Sequence, residues 1–299
     1  MKQVIIFFIF AAIISVNTAQ SNSSYIRNGS VGKTTNKADT LSKRAFSFIP
    51  ISNWVGERFI FLPQDKDLRH YGYMDFHISY EKYVGRIAKV ISVDKNGYFY
   101  KITLKMEDDG AELSTTIYTE AINCLAPIAD IDSARSHWLN KTLWYKSREI
   151  SQYNEKDEKE LSVKIKKYSA VKVIDIVAGW YNHKPVRFIV QSPNGDEGYV
   201  DINLSGTNVT EILRDGSSFE GDFFTKDPRE MHKWSRKIWN AIEEEKVFIG
   251  MTPDQAKLSW GLPKNINRTH TGSGISEQWV FSSGSYLYFE NGILKTIQN

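Results

Sequence analysis

The stretch AKVISV at Ala88–Val93 decides the fold, because the chain repeats it as VKVIDI at Val171–Ile176, 83 positions later. A tryptophan precedes each copy: Trp54 opens WVGERFIFLP, and Trp138 opens WLNKTLWYKS at an offset of 84. A third matched segment follows each copy, YKITL in the first and VRFIV in the second. Three matched segments in one order at a nearly constant offset predict an internal structural repeat.

Both copies carry the alternation that is typical of a β-sheet with one solvated face. Lys89 and Ser92 interleave with apolar neighbours in the first copy, as expected where successive side chains point to opposite faces. Asn-Gly pairs at 96–97 and 194–195 supply the positive backbone angles that tight hairpins require. The pattern predicts short antiparallel strands, and small barrels suit such lengths because closure removes exposed sheet edges.

Each copy combines short strands with a tryptophan near the first strand, and the second copy closes with Gly-Tyr-Val at Gly198–Val200. These features resemble bacterial SH3-like domains. The resemblance implies two tandem small barrels, the first at 46–130 and the second at 131–212. We therefore expect a mainly β fold, followed by a different kind of domain.

The stretch GMTPDQAKLSWGLP at Gly250–Pro263 begins and ends a helix. Thr252 is a natural N-cap, Pro253 suits the first turn, and Gln255 completes a capping box. Gly261 ends the helix because glycine takes a positive φ at low cost, and the proline that follows prevents continuation. A Walker phosphate loop requires a different spacing of glycine and lysine, so the stretch predicts a structural role and no phosphate site.

An earlier helix is expected where Asp227 and Pro228 form a cap and first-turn pair. Its apolar stripe, at helical spacing, consists of Met231, Trp234, Ile238 and Ile242. Three strands, EQWVF, YLYF and ILKTI, follow the two helices. We therefore expect a linker at 213–226 and then, at 227–299, a C-terminal α+β domain built as helix, helix and three-strand meander.

Four spaced motifs mark this C-terminal region, namely Ile249-Gly250-Met251-Thr252, Trp260-Gly261-Leu262-Pro263, Trp279, and Phe289-x-x-Gly292-x-Leu294. Together they resemble the SmpA/OmlA family, the small BamE-like lipoproteins of outer-membrane assembly. The resemblance implies a non-enzymatic helper that binds partner proteins at the inner face of the outer membrane. No lipid-bearing cysteine follows the N-terminal apolar segment, which leaves membrane tethering and membership of the assembly machinery open.

The N-terminal segment predicts export. A basic residue is followed by the apolar run VIIFFIFAAIISV at Val4–Val16 and then by small and polar residues, which is the pattern of a secretory signal peptide. We predict a signal peptide at 1–21, and both Ala19 and Ser21 remain open as its last residue. The Ser-, Asn- and Lys-rich segment at 22–45 has too few apolar residues for a core and predicts a flexible leader.

Composition and spacing point away from catalysis and from nucleic acid. Cys124 is the only cysteine, so no internal disulfide is expected, and an exported protein without disulfides is more typical of a bacterium than of a eukaryote. We expect a periplasmic or extracellular location in a Gram-negative bacterium. Its neighbours are apolar, which predicts a small buried hydrophobe. The six histidines are scattered, and His70 and His77 are expected at a polar rim. The net charge of +3 offers no strong field for a polyanion. We predict no enzyme activity, no metal and no cofactor.

Aromatic residues are the better candidates for binding. In the adjacent pairs Trp144-Tyr145 and Trp180-Tyr181, at most one ring is easily buried, because neighbouring strand residues face opposite sides. Trp239 lies off the apolar stripe of its helix and is expected to face solvent or another domain. Exposed rings in a groove suit a peptide or a glycan, whereas Trp144 is expected in the core of the second barrel.

The leading hypothesis is an exported, non-catalytic binding or scaffold protein of a bacterial cell envelope that contacts protein or peptide partners. One alternative is a cell-wall glycan or peptide binder that acts through the SH3-like domains. Another is an envelope hydrolase, which requires carboxylates that converge in a pocket. Peripheral membrane association stays open, and no lipid anchor is evident in the sequence.

Overall fold

The computed structural model describes the residues 46–119, 121–154, 159–181, 184–210, 219–272 and 274–299. These residues belong to one compact unit. The predicted signal peptide at 1–21, the leader at 22–45 and the linker residues 213–218 lie outside them. Strands account for 41% and helices for 19%, so the chain is mainly β, as the sequence predicts. Within the described ranges, no helix has the length and apolar character needed to cross a membrane.

The first sheet contains five antiparallel strands. Their bounds are β1 Arg58–Phe61, β2 Ile87–Asn96, β3 Phe99–Met106, β4 Glu112–Ile117 and β5 Leu125–Pro127. The order across the sheet is β4-β3-β2-β1-β5. A 3-10 turn at Ile51–Asn53 precedes β1, and two short helices, α1 (Lys66–Arg69) and α2 (Tyr80–Tyr83), lie between β1 and β2. Trp54 and Phe59 are fully buried in the core of this sheet.

The second sheet contains seven antiparallel strands. Their bounds are β6 Thr142–Tyr145, β7 Glu149–Asn154, β8 Lys159–Lys164, β9 Ser169–Ala178, β10 Val186–Gln191, β11 Glu197–Ile202 and β12 Phe223–Phe224. The order is β12-β6-β9-β10-β11-β7-β8. Helices α3 (Ile128–Trp138) and α4 (Phe219–Asp222) pack on this sheet, where Trp138 and Phe219 stack with ring centroids 4.1 Å apart.

The two sheets correspond strand for strand. When the hairpin β7–β8 is set aside, the order β12-β6-β9-β10-β11 matches β5-β1-β2-β3-β4. The pairing register matches as well: Val90 pairs with Leu104, and Val173, 83 positions after Val90, pairs with Val190. A β-bulge interrupts both ladders directly beside these pairs. The correspondence seen in the sequence therefore extends to register and to the position of an irregularity.

The turn that follows each repeated tryptophan is held by the same backbone hydrogen bonds. The Gly56 N–H donates to the Val90 carbonyl over 2.9 Å, and the Asn140 N–H donates to the Val173 carbonyl over 2.9 Å. Both turn residues have a positive φ, +96° and +64°, which glycine and asparagine tolerate better than other residues. Gly56 and Asn140 are thus equivalent positions that have different side chains and share a positive φ.

In the C-terminal part, helices pack on one face of a third sheet. The elements are α5 Pro228–Met231, α6 Arg236–Glu243, α7 Pro253–Trp260, β13 Asn265–Thr271, β14 Gly274–Val280, β15 Tyr286–Glu290 and β16 Ile293–Gln298. The strand order follows the chain, β13-β14-β15-β16. The predicted capping box forms between Thr252 and Gln255. Met251, Trp279 and Phe289 share one buried core between helix and sheet.

Two details of the C-terminal prediction are wrong. The sheet has four strands instead of the three of the expected meander, because β13 pairs with β14 along seven residue pairs. Its sequence, NINRTHT, lacks apolar alternation, and an edge strand needs only backbone pairing. The helix expected from Met231 to Ile242 is broken at His232–Ser235, which leaves Met231 42% exposed. There Trp234 stacks on the His232 ring, at 4.4 Å between centroids, and the chain does not continue the helix.

The turn between β8 and β9 anchors the C-terminal part to the second sheet. Tyr168 takes a positive φ of +60° at this turn, and its hydroxyl donates to the Leu258 carbonyl over 2.7 Å. The neighbouring Lys167 ammonium donates to the Ser259 carbonyl, also over 2.7 Å. Both carbonyls lie near the C-terminal end of α7, where unpaired helix carbonyls favour a cation and hydrogen-bond donors.

Candidate functional site

The structure separates the five aromatic candidates and does not assemble them into one site. Tyr145 and Trp239 are buried, at 8% and 6% exposure. The expectation that Trp144 lies in the core of the second copy is wrong: Trp144 is half-buried, and its neighbour Tyr145 takes the core position, because adjacent strand residues face opposite sides. Trp239 packs against another part of the fold, with its ring edge-on to Tyr168 at 6.5 Å. Trp180 is also half-buried, but polar and aromatic groups of the second sheet surround it.

Trp180 and Tyr181 are adjacent in the chain but contact different sheets of the repeat. The Tyr181 N–H donates to the Pro63 carbonyl over 2.8 Å, and the Tyr181 ring packs against the core of the first sheet. The Trp180 ring lies against residues of the second sheet instead. Of the two rings, Trp180 is therefore the candidate for contact with a ligand.

The Trp180 cluster consists of Tyr153, Trp180, Arg187, Tyr199 and Asp201. The Arg187 guanidinium lies 3.6 Å from the Tyr199 ring centroid and 5.1 Å from that of Trp180. It donates two hydrogen bonds to the Asp201 carboxylate, at 2.7 and 2.8 Å. Tyr153 meets Trp180 edge-on with centroids 4.6 Å apart. Burial raises the pKa of Tyr199, so its hydroxyl stays protonated at neutral pH.

This cluster holds an aromatic surface in a fixed orientation. Arg187 is only 5% exposed, and a bidentate carboxylate partner satisfies its charge. A guanidinium stacked on an indole ring restricts the ring's orientation. The sequence prediction missed Arg187 and Tyr199 because their proximity to Trp180 depends on strand register, which places Arg187 opposite Asp201. Stacked and edge-on rings of this kind can bind a peptide or a sugar by surface complementarity.

A second candidate site is a cleft in the first sheet, which we call the Asp75 cleft. Its volume is about 420 Å³, within the range typical of small-ligand sites. Its lining residues are Met74, Asp75, His77, Ser114, Thr115 and Thr116. The first three belong to the loop before α2 and the last three to β4. His77, expected at a polar rim, is exposed and lines the cleft, whereas nothing in the sequence distinguishes Asp75.

A strained loop holds Asp75 in place. Tyr73 and Ile78 form an isolated bridge that closes the loop, and the Tyr73 hydroxyl donates to the Leu62 carbonyl over 2.6 Å. His77 takes a positive φ of +54°, which is uncommon for a residue other than glycine. A side chain at Gly72 would place its Cβ 2.2 Å from the Ile78 carbonyl oxygen. Such strain persists only where the surroundings enforce it, and it is concentrated at functional sites.

Asp75 contributes a carboxylate acceptor to a cleft that is otherwise lined by hydroxyl side chains, a histidine and a methionine. The Asp75 Oδ2 atom is buried and finds no hydrogen-bond partner among the described residues. Burial raises the pKa of Asp75, and the neighbouring Cys124 thiol partly offsets this. Burial and the Asp75 charge both raise the pKa of Cys124. The thiol therefore stays protonated at neutral pH and is not a nucleophile, in line with its expected role as a buried hydrophobe.

A third surface is the outer face of the C-terminal sheet. A ladder of neutral side chains crosses its four strands, formed by Asn267, Gln278, Tyr288 and Gln298. Successive hydrogen bonds join the Asn267 amide to Gln278 (3.0 Å), the Gln278 amide to the Tyr288 hydroxyl (3.2 Å) and that hydroxyl to Gln298 (3.0 Å). The ladder presents donors and acceptors without formal charge.

No family model matches the chain, and no curated protein or solved structure is significantly similar to it. Over the part of the chain that the structure describes, no three His, Cys, Asp or Glu side chains come close enough to hold a metal ion.

Proposed function

We propose that the chain is an exported, non-catalytic binding protein of a bacterial cell envelope that acts through protein or peptide contacts. The observation that carries this proposal is the Trp180 cluster, in which a half-buried indole ring is held against Arg187 and Tyr153. Aromatic and arginine side chains of this kind dominate the energetics of protein contacts. The neutral ladder on the C-terminal sheet provides a second contact surface.

The finer architecture also belongs to this proposal. Two tandem SH3-like units are supported by the matching strand order and register of the first two sheets. A BamE-like C-terminal domain is supported by its core, which gathers Met251, Trp279, Phe289 and Leu294, all residues of the SmpA/OmlA-like motifs. The export signal and the envelope location rest on the sequence of residues 1–21.

The test is capture of envelope partners by cross-linking, followed by binding measurements with the purified partner. We expect Trp180→Ala to lower the affinity for the partner at least tenfold, while Trp180→Phe keeps most of it because a ring remains. Trp144→Ala is the matched control, since Trp144 is a half-buried tryptophan of the same sheet outside the cluster. Equal affinities of wild type and Trp180→Ala for every partner would contradict the proposal.

A glycan ligand is the second candidate, and the same indole ring favours it, because sugars stack on exposed aromatic faces. Purified cell-wall glycan pulled down by the wild type and lost with Trp180→Ala would select this alternative. The hydrolase alternative has less support. The lining of the Asp75 cleft contains one carboxylate, whereas glycoside hydrolysis uses two carboxyl groups on either side of the bond that breaks. A hydrolase activity that disappears with Asp75→Asn would overturn the non-catalytic proposal.

A further inference from the structure

Strand β4 is an open edge of the first sheet. It pairs with β3 on one side only, and no backbone hydrogen bond among the described residues joins its other side to a further element. Proteins usually protect such edges with lysine, proline or a bulge. The sequence of β4, ELSTTI, has a single charged residue, Glu112 at its start. The edge is therefore competent to pair with another strand.

The direction of the unpaired groups follows from the adjoining hairpin. The Met106 N–H donates to the Ala111 carbonyl over 2.8 Å, and antiparallel partners alternate between hydrogen-bonded and non-hydrogen-bonded pairs. Counting along the register places Thr115 among the residues that bond to β3. The backbone N–H and carbonyl groups of Ser114 and Thr116 consequently point away from β3, and both residues line the Asp75 cleft.

The second sheet shows what covers the equivalent edge. Strand β11 corresponds to β4 and pairs with β7, where Tyr199 lies opposite Ser151. Ser114 pairs with Thr103, and Tyr199 pairs with Ile189. Thr103 and Ile189 occupy the same place in the matched segments YKITL and VRFIV, so Ser114 and Tyr199 are equivalent positions. One copy of the repeat thus carries an added strand at the position that stays open in the other copy.

The loop that replaces the β7–β8 hairpin in the first copy brings a charge to this edge. Both segments connect the first and second strands of their copies. In the first copy the connection carries Asp75, a partly buried carboxylate that lines the cleft. A lysine ammonium or an arginine guanidinium supplies donors only, and pairing the Asp75 carboxylate with such a cation offsets part of the cost of its desolvation.

We propose that β4 is a strand-addition site for an extended segment of a partner protein, with a lysine or arginine side chain of that segment in the Asp75 cleft. Main-chain hydrogen bonds to Ser114 and Thr116 provide the affinity, and the cleft provides the preference for a basic residue. The inference rests on the proposed binding function and names the partner chemistry and a site distinct from the Trp180 cluster.

The experiment uses the mature chain and a fluorescent peptide library in which a central lysine is flanked by mixed threonine and valine, with a second library that has glutamate at the centre. Fluorescence polarisation reports binding. We expect the lysine library to bind at least tenfold more tightly than the glutamate library. Asp75→Asn removes this preference, while Asp65→Asn, at an exposed aspartate of the same unit, keeps it.

Ser114→Pro tests the edge, because proline removes an outward N–H that β3 does not use. We expect it to abolish binding of both libraries. If this variant is unstable, hydrogen exchange of the wild type provides the same information, since the Ser114 and Thr116 amides become protected only when a strand pairs with them. Lysine peptides that bind without protecting these amides, or that bind Asp75→Asn equally well, overturn the inference.

The outcomes separate this inference from the proposed function. If an envelope partner binds and depends on Trp180 but no extended peptide protects the edge, the proposed function stands and the inference fails. Self-association through β4, detected by sedimentation and abolished by Ser114→Pro, also overturns the inference, because the occupant is then a second copy. If no partner and no peptide binds, both fail.

Discussion

A buried aspartate at the start of α3 gives the most quantitative prediction. Asp130 is 4% exposed, and its Oδ2 atom accepts hydrogen bonds from the Ser205 hydroxyl (2.8 Å) and the Ser205 N–H (3.2 Å). Burial nevertheless raises the pKa of Asp130 from its ordinary value of 3.8 to about 6, and the two hydrogen bonds offset only part of this effect. The folded protein therefore holds the Asp130 proton more tightly than the unfolded chain does.

The sign and size of the effect follow from linkage. A carboxyl whose pKa is raised on folding contributes stability below the unfolded pKa, and this contribution is lost as the pH rises through the folded pKa. The difference between 3.8 and about 6 corresponds to about 3 kcal/mol at about 1.36 kcal/mol per unit. The unfolded carboxyl is already partly ionised at pH 4, so the unfolding free energy attributable to Asp130 should fall by about 2–3 kcal/mol between pH 4 and pH 7.

The assay compares urea unfolding of the wild type and Asp130→Asn at several pH values. The asparagine amide oxygen still accepts from Ser205 and does not ionise, so the variant lacks this pH dependence. Carboxyls with a lowered pKa, such as Glu107 and Asp108, contribute less to the unfolding free energy as the pH falls. These contributions are the same in both proteins and therefore cancel in the difference between them. The stability of the variant relative to the wild type should rise with pH across the window, and a constant difference would refute the reasoning.

Three further substitutions test the packing. Arg187→Met leaves the Asp201 carboxylate buried without its bidentate partner and should cost about 3–5 kcal/mol in chemical denaturation, whereas a cost below 1 kcal/mol would contradict the geometry. Gly72→Ala should cost about 1–3 kcal/mol more than Gly85→Ala, since both positions have a positive φ but only the first would meet a backbone atom; equal costs would exclude the close approach. Tyr168→Phe removes a partly buried hydrogen bond to α7 and should lower the unfolding free energy by about 1 kcal/mol. Hydrogen exchange in the C-terminal sheet should become faster in this variant, and unchanged exchange there would contradict the anchoring role.

The repeat could be predicted from sequence because its signal is local and periodic. The apolar positions of β2 and β9 recur at one offset, and the structure pairs Val90 and Val173 with equivalent partners. The pairing of the β7–β8 hairpin with β11 was not predictable, because the sequence of a segment of mixed charge does not indicate which strand it will pair with. β13 was missed for a related reason, since its seven pairs with β14 depend on backbone bonds and its side chains show no apolar alternation.

The sequence predicted a candidate site residue only where the residue type itself indicated a binding role. Trp180 was singled out as an aromatic of uncertain burial, and the structure surrounds it with Tyr153 and Arg187. The Asp75 cleft depends on contacts between a loop and a strand distant in the chain. An acidic residue among aromatics is ordinary in a sequence, and its buried, unpaired oxygen is visible only after the chain has folded.

The different connections between the first two strands of each copy set the valency that strand addition at β4, as proposed, would have. The second copy covers its own β11 edge with β7, and the first copy leaves β4 uncovered. A duplicated chain with two equivalent edges would be bivalent and could link partners into networks by avidity. Among the described strands, the duplicated position is covered at β11 and open at β4. If β4 adds a partner strand as proposed, the two copies together therefore contribute one binding position of this kind and not two.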